Sequence, residues 1–538
     1  MLRKLKNQNG MSLAMSLVLL LMLSLMAVSM LNESNKEIVV SGNETRNTNS
    51  FWAAEAGVEK ATAAIRASYQ SVGTPPYPLP CDTFTLGNYT AIYNTVDNDS
   101  AVQRTLTAGA YTGLYALVKT YKVTSQGIQN STGERTEVTQ VIEVALVPVY
   151  QFAVFYEGDL EIHPGPPMTL AGRVHTNSDM YLGSDNLLNI DSYTTAAGNI
   201  YHDRKTGSGL PLGAGDVKIR DAGGIYQNMQ NSDGSWLDSR DSNWTTASLA
   251  RWGGRVEDNL HGVTKLHLPI VKLGENIDLI KRGTGNPDSY EHLAGLKVVD
   301  GQALYRISDS TWNDVTKDLE ADGTISKGSF YDGREGRYVT STDIDIAKLN
   351  ASRYFPSNGI IYASTSSRVA RLKNGSKVRA PLTVASDNPL YIWGDFNTVN
   401  KKPASVMTDA LTILSNSWDD ANAKSHLGLS SRVASNTTVN CCLMTGNQNT
   451  GEGSLTYNGG LENVLRFLEK WDNKTMTFRG SIVDLWNSEQ AIGSWRREGY
   501  YTPPNRNWQF DTDLLDPTNL PPATPKLNIL NKTSWSEG

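Results

Sequence analysis

MLRKLKNQNGMSLAMSLVLLLMLSLMAVSML, residues 1–31, is the most informative stretch of the chain. No charged residue falls between Met11 and Leu31, and as an α-helix this segment would be about 32 Å long, close to the thickness of a bilayer core. Three cations precede it: Arg3, Lys4 and Lys6. The positive-inside rule therefore predicts a transmembrane helix over 11–31, with the N-terminus cytoplasmic and everything after Leu31 outside.

Three kinds of N-terminal segment fit this pattern. A secretory signal peptide has a shorter apolar core, of about 7–15 residues, followed by a small-residue cleavage site. Ala27-Val28-Ser29 is a tolerable site of that kind, so this alternative stays open. The second alternative is a plain, uncleaved membrane anchor. The third is a short basic leader, residues 1–10, that is removed after Gly10 and leaves Met11 as a new N-terminus.

A second helical pattern, residues 32–70, follows the apolar segment and extends it. Its second half reads FWAAEAGVEKATAAIRASYQ, residues 51–70. Apolar residues recur there at helical spacing, at Phe51, Ala54, Val58, Ala61 and Ile65. Such a stripe of small side chains suits close packing against helices of neighbouring subunits, and equally against a domain of its own chain.

The order of these features resembles the N-terminal segment of PilX-like type IV pilus assembly proteins. The resemblance covers Leu13 to Arg66 and includes Asn43-Glu44-Thr45-Arg46 and Phe51-Trp52-Ala53-Ala54-Glu55-Ala56. It implies cleavage after Gly10 by prepilin peptidase on the cytoplasmic side, N-methylation of Met11, insertion into the bacterial inner membrane, and other pilin or pseudopilin subunits as partners.

One position departs from the pattern of major pilins, which carry a Glu as the fifth mature residue. Counted from Met11, the fifth residue is Met15. A carboxylate inside the bilayer is costly and is kept where a partner charge compensates it. The absence of the Glu resembles minor pilins and the large tip pseudopilin of type II secretion. It implies a subunit at or near a filament tip, present in few copies.

The remaining chain reads as mainly β. Residues 71–150 contain a Pro-rich break and then strand-like runs that predict a small pilin-like sheet under the helix. Residues 151–500 alternate short apolar segments with Gly, Asn, Asp and Ser turns, which favours a large β-solenoid-like domain, with a β-sandwich as the alternative. Residues 205–350 are predicted as a polar insertion, Gly460–Trp471 as a short amphipathic helix, and 501–538 as a Pro-rich extended tail on the surface.

Most of residues 150–520 also resembles a large bacterial domain of unknown function found behind PilX-like N-termini. The phrases that carry the resemblance begin at Gly158, Val174, Asp332, Asn388, Arg479 and Pro503. This resemblance implies no activity.

Charge and cysteine content exclude several classes of protein. The net charge is −6, and without the three leader cations the rest is more acidic, which argues against a nucleic-acid partner. Three cysteines, Cys81, Cys441 and Cys442, make no disulfide framework. A bridge from Cys81 to Cys441 or to Cys442 is possible in an oxidising compartment, and three buried thiols are the favoured interpretation.

No catalytic pattern stands out, so we expect a structural protein and not an enzyme, with no cofactor. Asp318, Glu320 and Asp322 alternate before Gly323 like the start of a calcium loop, but position twelve is Ser329 and not Glu. A carbohydrate-active enzyme would need clustered carboxylates, for which the candidates are Asp387, Asp395, Asp409, Asp419 and Asp420. A second hypothesis is a membrane-anchored adhesin that binds a surface glycan through Trp236, Trp244, Trp252 or Trp312.

Overall fold

A computed structural model describes residues 8–71, 74–107, 111–205, 208–268, 275–366, 369–448, 458–495 and 499–538. Most of the predicted leader, residues 1–7, lies outside the described residues. Within them the chain is mainly β, with one long helix at its N-terminal end. This confirms the predicted fold class.

The N-terminal helix α1 (Gln8–Ser71) is 64 residues long, or about 96 Å. It is the one described helix that is long and apolar enough to cross a membrane. The predicted transmembrane segment and its extension are therefore one continuous helix.

The C-terminal part of α1 lies on an antiparallel sheet that falls within the predicted sheet region, 71–150. Its strands are β1 (Cys81–Leu86), β2 (Tyr89–Asp97), β3 (Val102–Thr105), β4 (Tyr115–Gln129) and β5 (Arg135–Pro148). They pair in the order β1-β2-β4-β5, and β3 pairs with the start of β4. We call α1 from Ser50 onward, together with this sheet, the head.

The next part of the chain winds through short strands that pair mainly in parallel. They are β6 (Val154–Tyr156), β7 (Leu160–Ile162), β8 (Met168–Leu170), β9 (Val174–Thr176), β10 (Met180–Leu182), β11 (Leu187–Ile190), β12 (Thr194–Ala196), β13 (Ile200–Tyr201), β14 (Asp216–Arg220), β15 (Tyr226–Asn228) and, after helix α2 (Trp244–Trp252), β16 (Val256–Glu257). Val154 pairs with Val174, and Val174 with Thr194, so the first two turns of the winding each take twenty residues. The same spacing separates Leu160 from Met180.

A second run of strands also pairs mainly in parallel, with antiparallel pairs over residues 296–314 and 325–345. They are β17 (Leu296–Val299), β18 (Gln302–Ser308), β19 (Thr311–Asp314), β20 (Ile325–Asp332), β21 (Arg337–Asp345), β22 (Ile360–Ser364), β23 (Val369–Lys373), β24 (Leu382–Ala385), β25 (Leu390–Trp393), β26 (Ala404–Thr408), β27 (Leu411–Leu414), β28 (Thr437–Asn440), β29 (Cys442–Asn447), β30 (Leu465–Phe467), β31 (Thr475–Gly480), β32 (Ile482–Asn487) and β33 (Asn505–Phe510). Short helices α3 (Tyr290–Leu293), α4 (Thr316–Ala321) and α5 (Ile346–Ala351) interrupt it.

The two runs stack into one solenoid-like domain, as predicted. One ladder runs β16-β12-β9-β6-β32-β29-β26-β24-β22-β17. The chain therefore enters in the middle at β6, winds out to β16, continues at the far end with β17, and winds back until β32 pairs with β6. We call the junction of β6 with β32 the seam.

Two local predictions are wrong. The polar stretch 205–350 is no separate insertion, because it supplies both end strands of this parallel ladder, β16 and β17. Gly460–Trp471 is no amphipathic helix: a single 3-10 turn over Gly460–Asn463 leads into β30, where Leu465 pairs with Leu411. Short apolar runs are compatible with either a helix or a buried strand, and at Leu465–Phe467 the parallel pairing with β27 makes the segment a strand.

The C-terminal segment, predicted as an extended surface tail, is instead built into the fold and contains two 3-10 turns, Thr512–Leu515 and Pro517–Asn519. Its last strand, β34 (Lys526–Glu537), pairs antiparallel with β5 from Lys526 opposite Pro148 to Glu537 opposite Val138. The head sheet is thus completed by residues from the other end of the chain.

The head and the solenoid-like domain share a core. One face of the head sheet, including Val118 and Val147, packs with Tyr362, Met407 and Met444 of the solenoid-like domain. The opposite face of the sheet packs against α1. The molecule is therefore layered as helix, sheet and solenoid, which holds the large domain on the side of the sheet away from α1.

Candidate functional site

The apolar half of α1 is the most distinctive surface of the described chain. From Met11 to Leu31 each large apolar side chain is more than half exposed, and Met15 is 71% exposed. A contiguous apolar surface of this size marks a membrane or protein contact. The segment is thus a candidate single membrane span.

The predicted apolar stripe lies inside the head. Ala54, Val58, Ala61 and Ile65 are fully buried, and they pack against sheet residues such as Tyr121. Phe51 is partly buried at the edge of the same cluster. Of the two interpretations of the stripe, packing against its own domain is the one that the geometry shows.

A pair of glycines brings α1 very close to the sheet. A Cβ added to Gly127 of β4 would lie 2.6 Å from the backbone nitrogen of Ala54 and closer still to the carbonyl oxygen of Ser50. A Cβ on Gly57 of α1 would collide with the Ser125 hydroxyl. Backbone therefore rests on backbone at this contact, which only glycine permits.

The Asn43-Glu44-Thr45-Arg46 motif lies where α1 leaves the sheet. Arg46 Nε donates to Glu134 Oε2 at 3.1 Å, and Arg46 also hydrogen-bonds Asn43. Glu134 precedes β5, so the ion pair ties the helix to the β4–β5 connection. Both side chains are about one-third exposed, and the contact positions the helix more than it stabilises the fold.

The Phe51–Ala56 motif forms an exposed aromatic group with the C-terminal strand. Trp52 is 62% exposed, and the Phe51 ring lies 5.1 Å from Trp52 and 6.0 Å from Trp535. The Trp535 indole nitrogen donates to Glu55 Oε1 at 2.6 Å. Nothing in the local sequence pairs residues 51–55 with Trp535, so this contact was not predicted.

The suggested calcium loop is wrong. Asp318 and Glu320 lie on helix α4, and Asp322 follows its end. Asp318 Oδ2 accepts a hydrogen bond from the Tyr354 hydroxyl at 2.5 Å, while Asp322 Oδ1 accepts from the Thr324 amide at 2.8 Å. No group of three or more His, Cys, Asp or Glu that could hold a metal is found among the described residues.

The five candidate carboxylates do not form one catalytic group. Asp409 caps a loop by accepting from the amides of Glu489, Gln490 and Ala491. Asp420 binds Arg371. Asp395 and Asp419 accept from the amides of Thr438 and Ala421, and Asp387 is partly buried near Arg282, where desolvation raises its pKa.

The four tryptophans that the sequence offered for sugar stacking all pack against other residues of the chain. Trp244 and Trp252 are buried in the core. Trp236 stacks on His202 at 3.3 Å between ring centroids, and Trp312 lies under the cations of Lys297 and Arg306.

The cysteines form no bridge. All three are free, and the expected burial is found for Cys441 and Cys442 but is wrong for Cys81, which is exposed on β1. Burial raises the pKa of Cys441 to about 12. The two neighbours are therefore inert core thiols.

Comparison with known proteins gives little beyond this geometry. No protein-family model matches the chain, and no curated protein matches it. Among solved structures, the crystal structure of the competence-associated pilin ComZ from Thermus thermophilus aligns over 91% of this chain and 97% of its own, at 10% identity and a TM-score of 0.28. At that score the likeness carries no argument about this protein.

Proposed function

We propose that this chain is a minor, pilin-like structural subunit, anchored in the bacterial inner membrane and used in the assembly or at the tip of a pilus or secretion pseudopilus. The observation that carries the proposal is α1 itself. One continuous helix is apolar and exposed over 11–31 and then packs against its own sheet over 54–65. An ordinary signal peptide has no reason to continue into the core of the folded domain.

The spacing along α1 supports this role. About 18 residues separate Leu31 from the first sheet contact at Ser50, which is about 27 Å of helix. Ile38, Val39 and Val40 are exposed on that span. The head therefore stands clear of the bilayer, and the intervening helix is free to contact helices of other subunits.

The large solenoid-like domain attached to the head favours a subunit that is used in few copies. The solenoid-like domain occupies most of residues 154–510 and lies on the face of the sheet away from α1. A repeating subunit would have to accommodate this bulk at every position. Met15, with no carboxylate to pair with a neighbouring N-terminus, fits a terminal position better.

The predicted leader, residues 1–10, supports a cytoplasmic N-terminus and cleavage by prepilin peptidase. The cations before Gly10 favour a cytoplasmic N-terminus, so that the head and the solenoid-like domain lie in the periplasm or on a surface pilus. Prepilin peptidase would then cut after Gly10, and Met11 would be methylated. The partners are this peptidase and other pilin or pseudopilin subunits, and the role is structural and not enzymatic.

The test uses the full chain expressed in cells that contain prepilin peptidase. We expect wild-type protein to be shortened and to appear in the fraction sheared from the cell surface. Gly10→Val should stay full-length in the inner membrane, whereas Gly42→Ala, a glycine change on the same helix away from the cleavage site, should behave as wild type. Wild-type protein that stays uncut and absent from the sheared fraction would overturn the proposal.

A further inference from the structure

A cleft opens at the seam, where the two halves of the solenoid-like domain meet. It has a volume of about 200 Å³. The turn after β6, the end of β29, the 3-10 turn at Gly460, the end of β32 and Lys205 contribute its walls. Because these segments are far apart in sequence, the cleft exists only once the winding has closed.

The floor of the cleft is polar and buried. Tyr156 and Asp484 are register partners in the pairing of β6 with β32. The Tyr156 hydroxyl lies beside the Asp484 carboxyl, and burial raises the pKa of that carboxyl far above its usual range. Burial thus favours the neutral form of this carboxyl over the charged form, and a neutral carboxyl can both donate and accept a hydrogen bond.

Two buried donors that line the cleft make no well-formed hydrogen bond, although the Tyr156 hydroxyl lies close to the Asp484 and Asn447 side chains. No hydrogen bond of normal geometry joins the Tyr156 hydroxyl or the Trp486 indole nitrogen to any residue in the described ranges. Leaving such a group unpaired in a protein interior costs about 1–3 kcal/mol. A ligand that offers hydroxyl groups would satisfy both.

The other carboxylates around the cleft already have partners within the protein, and Lys205 Nζ lies 3.7 Å from Asp159 Oδ2. Glu157 accepts from Asn177 Nδ2 at 2.8 Å, and Asp159 accepts from the Ser178 hydroxyl at 2.5 Å. Glu161 accepts from Arg204 Nη1 at 3.2 Å. Because these carboxylates repel an anion and already accept hydrogen bonds within the protein, a neutral ligand fits the cleft better than an anion.

The residues at the rim and along one wall of the cleft indicate which class of ligand would fit. Side-chain amides of Asn447, Asn458 and Asn487 line the cleft beside the apolar groups of Leu485 and Trp486. Amides with an aromatic and an aliphatic surface match the hydroxyl groups and C–H faces of a sugar. The volume is below the range of about 300–1,000 Å³ for drug-sized ligands, which favours a single ring.

We propose that the seam cleft binds one neutral sugar ring, held by Tyr156, Asp484 and Trp486. The proposal concerns the solenoid-like domain and does not depend on the filament role of α1. It places the recognition of a glycan at the seam and not at the tryptophans singled out by the sequence.

The test is saturation-transfer NMR on the full chain in detergent micelles. The probes are D-glucose, D-galactose, D-mannose and N-acetyl-D-glucosamine. We expect at least one to bind saturably, and Tyr156→Phe and Asp484→Asn each to weaken it about tenfold. Tyr156→Phe should leave the melting temperature unchanged or higher, because it removes only an unpaired hydroxyl.

Tyr150→Phe is the matched control. Its hydroxyl is also fully buried and without a partner among the described residues, but it lies in the core shared by head and solenoid. Binding should be unchanged in this variant. The proposal is overturned if none of the four sugars binds, if Tyr150→Phe weakens binding as much as Tyr156→Phe, or if Tyr156→Phe and Asp484→Asn both bind as wild type.

Discussion

Gly127→Ala should loosen α1 from the head sheet. The added methyl would lie 2.6 Å from Ala54 N, where ordinary contacts begin at 3.4 Å. The helix must therefore retreat by more than 0.8 Å, because the Ser50 carbonyl oxygen is closer still and the opposing atoms are backbone with no rotamer to change. Overpacking of this kind costs about 1–3 kcal/mol, and the retreat also weakens the packing of Val58 and Ile65, which are fully buried.

Hydrogen exchange of the α1 amides in the full-length protein, in detergent micelles, measures this effect locally. A loss of about 3 kcal/mol is a loss of protection of about 150-fold for residues 54–65. Gly57→Ala should cost less, because its obstacle is the Ser125 hydroxyl, which is able to rotate away.

Gly42→Ala is the control, and it should act in the opposite direction. Gly42 lies in α1 before the head, with open space around it. Alanine there should stabilise the helix by about 0.5–1 kcal/mol. Unchanged protection of residues 54–65 in Gly127→Ala would show that α1 does not rest on the sheet as described.

Three further predictions concern the solenoid-like domain and the cysteines. Arg371 is buried between Asp343 and Asp420, with nitrogen–oxygen distances of 2.7–2.8 Å, so Arg371→Met should destabilise the protein by about 3–5 kcal/mol in chemical denaturation. Arg353→Met removes the exposed ion pair with Asp318 and should change the stability little. Equal losses of stability in the two variants would refute the argument. Burial raises the pKa of Glu462 to about 7, from 4.5. The stability that the protonated carboxyl contributes is fully present below pH 4.5 and is lost as the pH rises through 7. The free energy of unfolding of Glu462→Gln should therefore equal that of wild type at pH 4.5 and exceed it by up to about 3 kcal/mol above pH 7. Parallel profiles of stability against pH for the two proteins would contradict this. A maleimide should label one cysteine, Cys81, in the folded chain and all three after unfolding; labelling of Cys441 or Cys442 in the folded protein would show that their burial is wrong.

The helix and the class of fold were predictable because their signals are local. Twenty-one uncharged residues predict a span without reference to any partner, and the stripe from Ala54 to Ile65 has helical spacing. The short strands of the solenoid-like domain were likewise visible as apolar segments between turn residues.

The twenty-residue period was present in the sequence but was not identified. GDLEI at 158–162, SDMYL at 178–182 and GNIYH at 198–202 occupy the same place in successive turns. Asp159 Oδ1 accepts from the amide of Asp179, and Asp179 Oδ1 accepts from the amide of Asn199, at 2.7 Å in the second case. The repeated Asp or Asn thus links each turn to the next, and its spacing was the available signal.

The seam and the closure of the head were not predictable from local patterns. β32 pairs with β6 across more than three hundred residues, and β34 pairs with β5 across a similar separation. Apolar periodicity identifies a strand but not its partner. The seam cleft, which depends on the first of these pairings, was therefore missed.

The N-terminal mass of the mature protein, measured by mass spectrometry on membranes from the native host, tests the central claim most directly. The account predicts a chain that starts at N-methylated Met11, with the apolar half of α1 retained. An intact Met1, or a start near residue 30 that removes the apolar segment, would contradict it.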